Sequence, residues 1–406
     1  MSGGPGIFEV FARLRRTGPL EVSRRVVRRL YNRLDAGSID FPLLFDDIAD
    51  STRLGTPPPS SSSTADRVTV GWVCTPPSRG SGGHTTLFRM VAALEERGHD
   101  CVLYLYDRHG GDLARHERVI RENWPGIRAT VRDARAGLGS ADAYVASSWE
   151  TAHVLASRPE VPGARLYFIQ DFESLFYPRG TISALAEDSY RFGLHNIALG
   201  EMVKKNLADL GIASTFAPFG CDTTTYHLVA PAVPRAGVVF YTKPGSDRRG
   251  YLLGRLALEE FHRRHPQEPI HLYGDASDDW SIPIVQHGKL TPAKLNELYN
   301  SVKAGLAISF TNVSLVAEEL IAAGAIPVVT DVPDVRSDLP SPFAEWALPT
   351  PGGLADALSR AVERPESLSV RTQIGASARK GWGPAQAVVA DTILSAVREG
   401  RASGTR

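Results

Sequence analysis

From residue 68 onward, short apolar runs alternate with longer segments whose apolar positions recur every three or four residues. The run over 68–73 predicts a strand, and a glycine-rich loop follows it (Arg79-Gly80-Ser81-Gly82-Gly83-His84). Helical spacing then covers about 85–97 and stops at Gly98. Further strands are predicted over 101–106, 143–146, 165–169 and 196–199, with helical segments between several of them. A second series begins after Pro218-Phe219-Gly220-Cys221-Asp222. It predicts strands over 237–241, 271–273, 305–309 and 326–330. Helices are predicted over 250–265, 292–302, 354–362 and 385–397. Such alternation predicts parallel sheets covered by helices on both faces. Two similar α/β halves with a hinge near 222–234 is the most economical architecture, and no short-period repeat competes with it.

Residues 1–66 break the pattern. Arg13, Arg15, Arg16, Arg24, Arg25, Arg28, Arg29 and Arg33 cluster among Phe8, Phe11, Leu14, Val26, Val27 and Leu30, with Gly18-Pro19 dividing two short helical stretches. Pro57-Pro58-Pro59 and Ser60 to Ser63 then form a low-complexity linker. The arm suits an anionic membrane surface, and it equally suits packing on its own protein. Both readings stay open. The expected division is therefore 1–66 arm and linker, 67–228 first domain, 229–383 second domain, and 384–406 a closing helix and tail.

Composition narrows the function classes. Forty-five basic residues balance 45 acidic ones, so no whole-protein field for nucleic acid is expected. Cys74, Cys101 and Cys221 are odd in number and lack metal-ligand spacing, which fits a reduced, cytoplasmic setting. No apolar run approaches the roughly 18–20 residues that span a bilayer, and the start lacks the basic-then-apolar pattern of a signal peptide.

Candidate chemistry concentrates at a few junctions. Thr311-Asn312-Val313-Ser314-Leu315 opens an apolar helix that Gly324 ends. Unpaired N–H groups at such a helix start, around Asn312, Ser314 and Leu315, favour phosphate. Glu319 lies about one and a half turns in, where a carboxylate accepts from ribose hydroxyls. Glu318 reads better as an ordinary helix acid. Lys243 and Arg248 share a Pro/Gly-rich loop whose curl brings two cations to one anion. Arg249 beside them reads as a scattered charge. Gly82, Gly83 and His84 lie where a strand feeds a helix, but their spacing is not a dinucleotide fingerprint. Asp171 ends an apolar strand and Glu173 is a weaker second carboxylate; each is also an ordinary turn or cap acid in isolation. Gly288, Lys289 and Leu290 precede a helix and offer backbone groups to a base. Asp278-Asp279 resembles a metal-binding acid pair, yet its polar-loop setting argues against a metal site, and none is expected.

Five segments in order resemble the GT-B glycosyltransferases, in particular the family-4-like branch with rhamnosyltransferases of bacterial cell-surface glycans. They are Ser81 to Met90, Tyr167-Phe168-Ile169-Gln170-Asp171-Phe172-Glu173, Phe240-Tyr241-Thr242-Lys243-Pro244 with Arg248, Gly288-Lys289-Leu290, and the Glu319 helix. Trp382 and the last helix are similar to the family's helix that crosses back. The resemblance implies two Rossmann-like domains facing across a cleft, here with an N-terminal helical extension. It also implies a retaining transferase with no cofactor beyond a dTDP- or UDP-linked sugar donor, dTDP-L-rhamnose preferred. The acceptor is a glycan or lipid-linked glycan, met in the cytoplasm or at the inner face of the membrane. Lys243, Arg248 and Asp171 take the catalytic places; Gly82, Gly83, His84, Gly288, Lys289, Leu290, Asn312, Ser314, Leu315 and Glu319 take the donor-binding ones. Where many members carry glutamate eight residues before Glu319, this chain has Thr311, which bears on donor identity more than on fold. A nucleotide-sugar epimerase on the same scaffold and a non-catalytic scaffold protein are the rival readings.

Overall fold

The computed structural model describes residues 41–58, 66–229, 234–276, 280–365, 367–379 and 381–403. The arginine-rich arm, most of the proline–serine linker and Asp278-Asp279 lie outside them. Met1–Ile48 groups as one unit, whose described part holds a single short turn at Phe45–Asp47. Ala49–Arg406 is the other unit.

Within that second unit, two parallel sheets form. The first contains β1 (Thr69–Cys74), β2 (Asp100–Leu105), β3 (Thr130–Asp133), β4 (Ala143–Ala146), β5 (Ala164–Ile169), β6 (His195–Leu199) and β7 (Thr215–Ala217) in the order 3-2-1-4-5-6-7. The second contains β8 (Val238–Thr242), β9 (Ile270–Gly274), β10 (Val285–Gln286), β11 (Ala304–Ala307), β12 (Ile326–Thr330) and β13 (Glu345–Ala347) in the order 10-9-8-11-12-13. Central strands such as β4 and β12 are buried along their whole length, because helices cover both faces. Both orders reverse direction beside their first strand, between β1 and β4 and between β8 and β11. Ligands in such sheets bind at the carboxyl ends beside that reversal. The loops that matter are therefore those after β1, β4, β5, β8 and β11.

Helices packed on the sheets hold those loops in place. Helix α1 (Gly82–Glu96) follows β1, and α3 (Trp149–Ala156) follows β4 after α2 (Leu113–Asn123). Helices α4 (Thr181–Asp188) and α5 (Glu201–Asp209) complete the first half. In the second half α6 (Tyr251–Arg264) follows β8, α7 (Pro292–Ser301) precedes β11, and α8 (Leu315–Ala322) follows it. A Cβ on Gly305 in β11 would lie 2.5 Å from the Leu320 side chain, so glycine lets α8 sit close on the sheet. This close approach fixes where the start of α8 points.

Helices α9 (Pro333–Asp338), α10 (Pro351–Glu363) and α11 (Leu368–Ala376) lead to α12 (Gly383–Ser403), which packs back on α1, β5 and β7 of the first half. Asp338 reinforces this join by accepting from the backbone N–H of Glu201 (2.7 Å) and Met202 (3.1 Å), which start α5. Between the halves, Asn296 and Asn300 of α7 take the N–H groups of His227 and Val229. A Cβ on Gly220 would strike the Gly381 carbonyl at 2.2 Å, so the chain entering and leaving this junction touches backbone to backbone. No helix among the described residues is long and apolar enough to cross a membrane. Cys74, Cys101 and Cys221 are buried and unpaired with one another.

Candidate active site

The glycine-rich segment differs from its expected loop. Helix α1 starts at Gly82, with Ser81 as its cap, so Gly82 and Gly83 form the first helical turn. Both are exposed, and a Cβ on Gly82 would meet nothing within 4 Å. His84 is not free for a ligand. Its Nδ1 lies 2.8 Å from Ser81 Oγ and its Nε2 lies 2.8 Å from the Thr75 carbonyl. The carbonyl requires a proton on Nε2, so Nδ1 accepts from the serine. Burial holds the ring below its ordinary pKa and keeps it neutral. The histidine ties its own loop.

The loop after β8 is different in charge. Lys243 is exposed there, and the turn Asp247–Arg249 follows. Arg248 lies over the Phe176 ring at 4.3 Å. Arg249 donates to Ser309 Oγ at 3.0 Å, and burial beside Arg248 pulls it down to about 10. Partial burial and the guanidinium groups of Arg248 and Arg249 also hold Lys243 below its ordinary value. Like charges this close are unfavourable without an anion, so the loop suits one. Arg249 is thus part of the cluster and not the scattered charge that its sequence position suggests. Its hydrogen-bond partner Ser309 lies in the loop after β11, which no local pattern reveals.

Asp171, 5% exposed, stands opposite on the first half. Its Oδ2 accepts from Arg248 Nη1 (3.2 Å) and Thr311 Oγ1 (2.9 Å). Its Oδ1 accepts from the N–H groups of Phe172 (2.9 Å) and Asn312 (3.3 Å). Burial raises its pKa, and Arg248 and Arg249 oppose the shift. Asn312 Nδ2 donates to the Gln170 carbonyl at 3.1 Å, leaving its buried Oδ1 without a hydrogen-bond partner among the described residues. Glu173 faces inward instead. It accepts from Tyr167 OH and the Trp149 N–H, and burial beside Glu150 raises its pKa well above the usual range.

Ser314 is buried at the start of α8, but its side chain caps no N–H group. The helix start therefore keeps free donors beside Leu315. Glu319 lies farther along, accepting from Tyr299 OH at 3.1 Å, while Tyr299 meets Tyr273 OH at 2.6 Å. Burial raises the Glu319 carboxyl to about 7. Arg89, Asp222, Tyr226, Leu315 and Trp382 line the same small cleft, and Arg89 pairs with Asp222 at 3.5 Å. Glu318 also borders this cleft and pairs with Arg379 at 3.4 Å. Gly288 takes a positive φ of 65° in open space, Lys289 pairs with Asp275 at 3.1 Å, and Leu290 packs on the core.

Thus Asp171, Arg248, Thr311 and Asn312 meet directly, with Lys243 and Arg249 beside them. Glu319 occupies a neighbouring cleft at the junction of the halves, and His84 is withdrawn into its loop. Among the described residues no group of three or more His, Cys, Asp or Glu side chains is placed to hold a metal ion.

Known proteins share this arrangement of sheets and helices. Residues 236–359 match the family model described as the WsaF C-terminal domain. The chain is 30% identical over 316 residues to the O-antigen biosynthesis protein RfbC of Myxococcus xanthus, an alignment covering 73% of this chain and 24% of that one. It thus spans about a quarter of that relative's length. Among solved structures, Anabaena HepE in complex with UDP superposes with a TM-score of 0.61 at 14% identity, over 80% of this chain and 100% of that chain. A glycosyltransferase from Rickettsia africae gives 0.56 at 10% identity, over 83% and 99%. The architecture is GT-B. In that fold the cationic loop after β8 and the start of α8 belong to the second Rossmann-like domain, and Gln170-Asp171 reaches them from the first.

Proposed function

We propose that the protein is a glycosyltransferase, moving a sugar from a nucleoside-diphosphate donor to a hydroxyl of a glycan or lipid-linked glycan. The observation that carries this reading is the placing of Arg248 against Asp171 and Thr311, in the segment that leads into the uncapped start of α8, with Lys243 and Arg249 on the same loop as Arg248. Such a site favours a departing diphosphate more than its bonded precursor, because negative charge grows as the bond breaks. Glu319 takes the ribose hydroxyls, and the Gly288-Lys289-Leu290 turn borders the base. The UDP named in the HepE structure and the O-antigen role named for RfbC support the same donor class and product class. The preferred donor is dTDP-L-rhamnose, which rests on the family resemblance.

The reaction retains configuration in this reading. The C1–O bond to the diphosphate breaks while the acceptor oxygen bonds C1 from the same face. The leaving phosphate oxygen takes the acceptor's proton, so no separate base is required. Asp171 positions the reactants from across the cleft, and closure of the halves excludes water. A lipid-linked acceptor implies work in the cytoplasm, at the inner membrane face.

The test is incubation with a panel of dTDP- and UDP-sugars and candidate acceptors, with free nucleoside diphosphate as readout. Acceptor-dependent release supports transfer. Conversion of the donor without acceptor indicates an epimerase, and no binding or turnover with any donor defeats the reading.

A further inference from the structure

The contacts of Asp171 are divided between the halves in a way that the proposed reaction does not require. Only the Phe172 N–H comes from its own half. Arg248, Thr311 and the Asn312 N–H all come from the other. A second link, Asn312 Nδ2 to the Gln170 carbonyl, lies alongside. The junction is buried: Thr311 is 1% exposed. One carboxylate here satisfies a cation, a hydroxyl and two backbone donors, whereas a second carboxylate at 311 would face the first at hydrogen-bonding distance.

Arg248 is fixed from two sides, by the Phe176 ring beneath it and by Asp171 at Nη1. Both belong to the first half, although Arg248 itself belongs to the second. Its other N–H groups remain to meet a phosphate. If the halves part, Arg248 loses both supports at once and keeps only its long 3.5 Å contact with Thr311 Oγ1 in its own half.

Building on the transferase reading, we infer that Asp171 is a positioning residue that presents Arg248 to the donor diphosphate only when the halves are closed, and that Thr311 is uncharged so that a single carboxylate occupies this junction. The arrangement ties full anion affinity to closure. A donor bound in the open cleft meets a weaker cation set, so its bond to the diphosphate is activated only after water is excluded.

The test moves the carboxylate across the junction in the full chain, comparing wild type, Asp171→Asn, Thr311→Glu and the double variant. Donor turnover and calorimetric titration of UDP and dTDP are measured on each, with melting curves to verify folding. Thr311→Glu sets two acids together and is expected to lower kcat by roughly 100-fold. Asp171→Asn lowers kcat by about tenfold, with a smaller change in the donor KM. The double variant restores one carboxylate and recovers about tenfold or more over Thr311→Glu, as expected for residues in contact. A double variant whose loss equals the product of the two single losses overturns the inference. Should Thr311→Glu fail to fold, Thr311→Val replaces it. Non-additivity of Thr311→Val with Asp171→Asn then supports the inference, and additivity overturns it. Wild type that binds neither nucleotide defeats the transferase reading and this inference together. Nucleotide binding by wild type with additive variants defeats this inference alone.

Discussion

The loop after β1 and the loop after β8 hold the same topological place in the two halves, each beside the reversal of its sheet. After β1 the loop carries a single exposed cation, Arg79, and no cluster. Ser81 caps α1, and His84 spends both ring nitrogens on Ser81 and Thr75. After β8 the chain carries Lys243, Arg248 and Arg249, and neither α6 nor α8 has a side-chain cap. The first half caps one N–H of its helix start with Ser81, whereas the second leaves its helix start without a side-chain cap and gathers its cations beside it, with Arg248 on Asp171 and Arg249 on Ser309. One backbone plan therefore gathers a cation cluster beside an uncapped helix start in its second copy, where the proposed anion site lies. The first turn at Gly82 and Gly83 is open, with no atom within 4 Å of a Cβ placed on Gly82.

The largest expected effect breaks the cationic side. Lys243→Ala removes an exposed ammonium from the loop after β8, so folding should survive while transfer falls by about 100-fold to 1,000-fold. A melting curve beside a turnover assay checks both parts of this statement, and retention of wild-type turnover would remove Lys243 from the site.

Glu319 sharpens the same side through pH. Its ordinary value of 4.5 rises to about 7 in the folded chain. Between those values the folded state holds the extra proton, so the ligand-free protein loses stability as pH climbs through that window and levels off above it. Glu319→Gln should therefore be more stable than wild type at pH 8, by on the order of 3 kcal/mol, and no different near pH 4. Nucleotide affinity should move the other way, about tenfold weaker in the variant at pH 8, because an ionised acceptor for ribose hydroxyls is lost. Equal denaturation curves at pH 8 would contradict the buried, raised carboxyl.

The smallest effect belongs to the loop after β1. Ser81→Ala removes the cap of α1 and the partner of His84 Nδ1, which should cost about 1 kcal/mol of stability. UDP and dTDP affinity should be unaltered in calorimetry, since no part of that cap meets the anion site. A change above tenfold would mean that the two loops share the donor.

Much of this contrast is legible in the amino-acid sequence. Residues 143–146 and 326–330 read as strands to the residue, because central parallel strands are unbroken apolar runs. Lys243, Arg248 and the start of α8 stand out because turn residues and cations there have few structural duties. The edge strands are harder to read. Thr130–Asp133 is half polar, and Val285–Gln286 is only two residues long, so neither carries a period. Arg249 and the Tyr273–Tyr299–Glu319 chain depend on pairing between distant elements, which local spacing does not encode. His84 reads as a ligand because a histidine beside glycines looks available. The Thr75 carbonyl, nine residues earlier in the chain, is what withdraws it. Asp171 reads as a strand-end carboxylate with a catalytic place by resemblance or an ordinary turn acid, and its engagement by Arg248, Thr311 and Asn312 emerges only where the halves meet.

The central claim is that the loop after β8 and the start of α8 bind a nucleoside diphosphate. Calorimetric titration of UDP and dTDP into the full chain and into Lys243→Ala tests it most directly. Saturable binding of at least one nucleotide to wild type, weakened about tenfold or more in the variant, is the predicted result. Absence of binding, or equal affinity in both proteins, would contradict it.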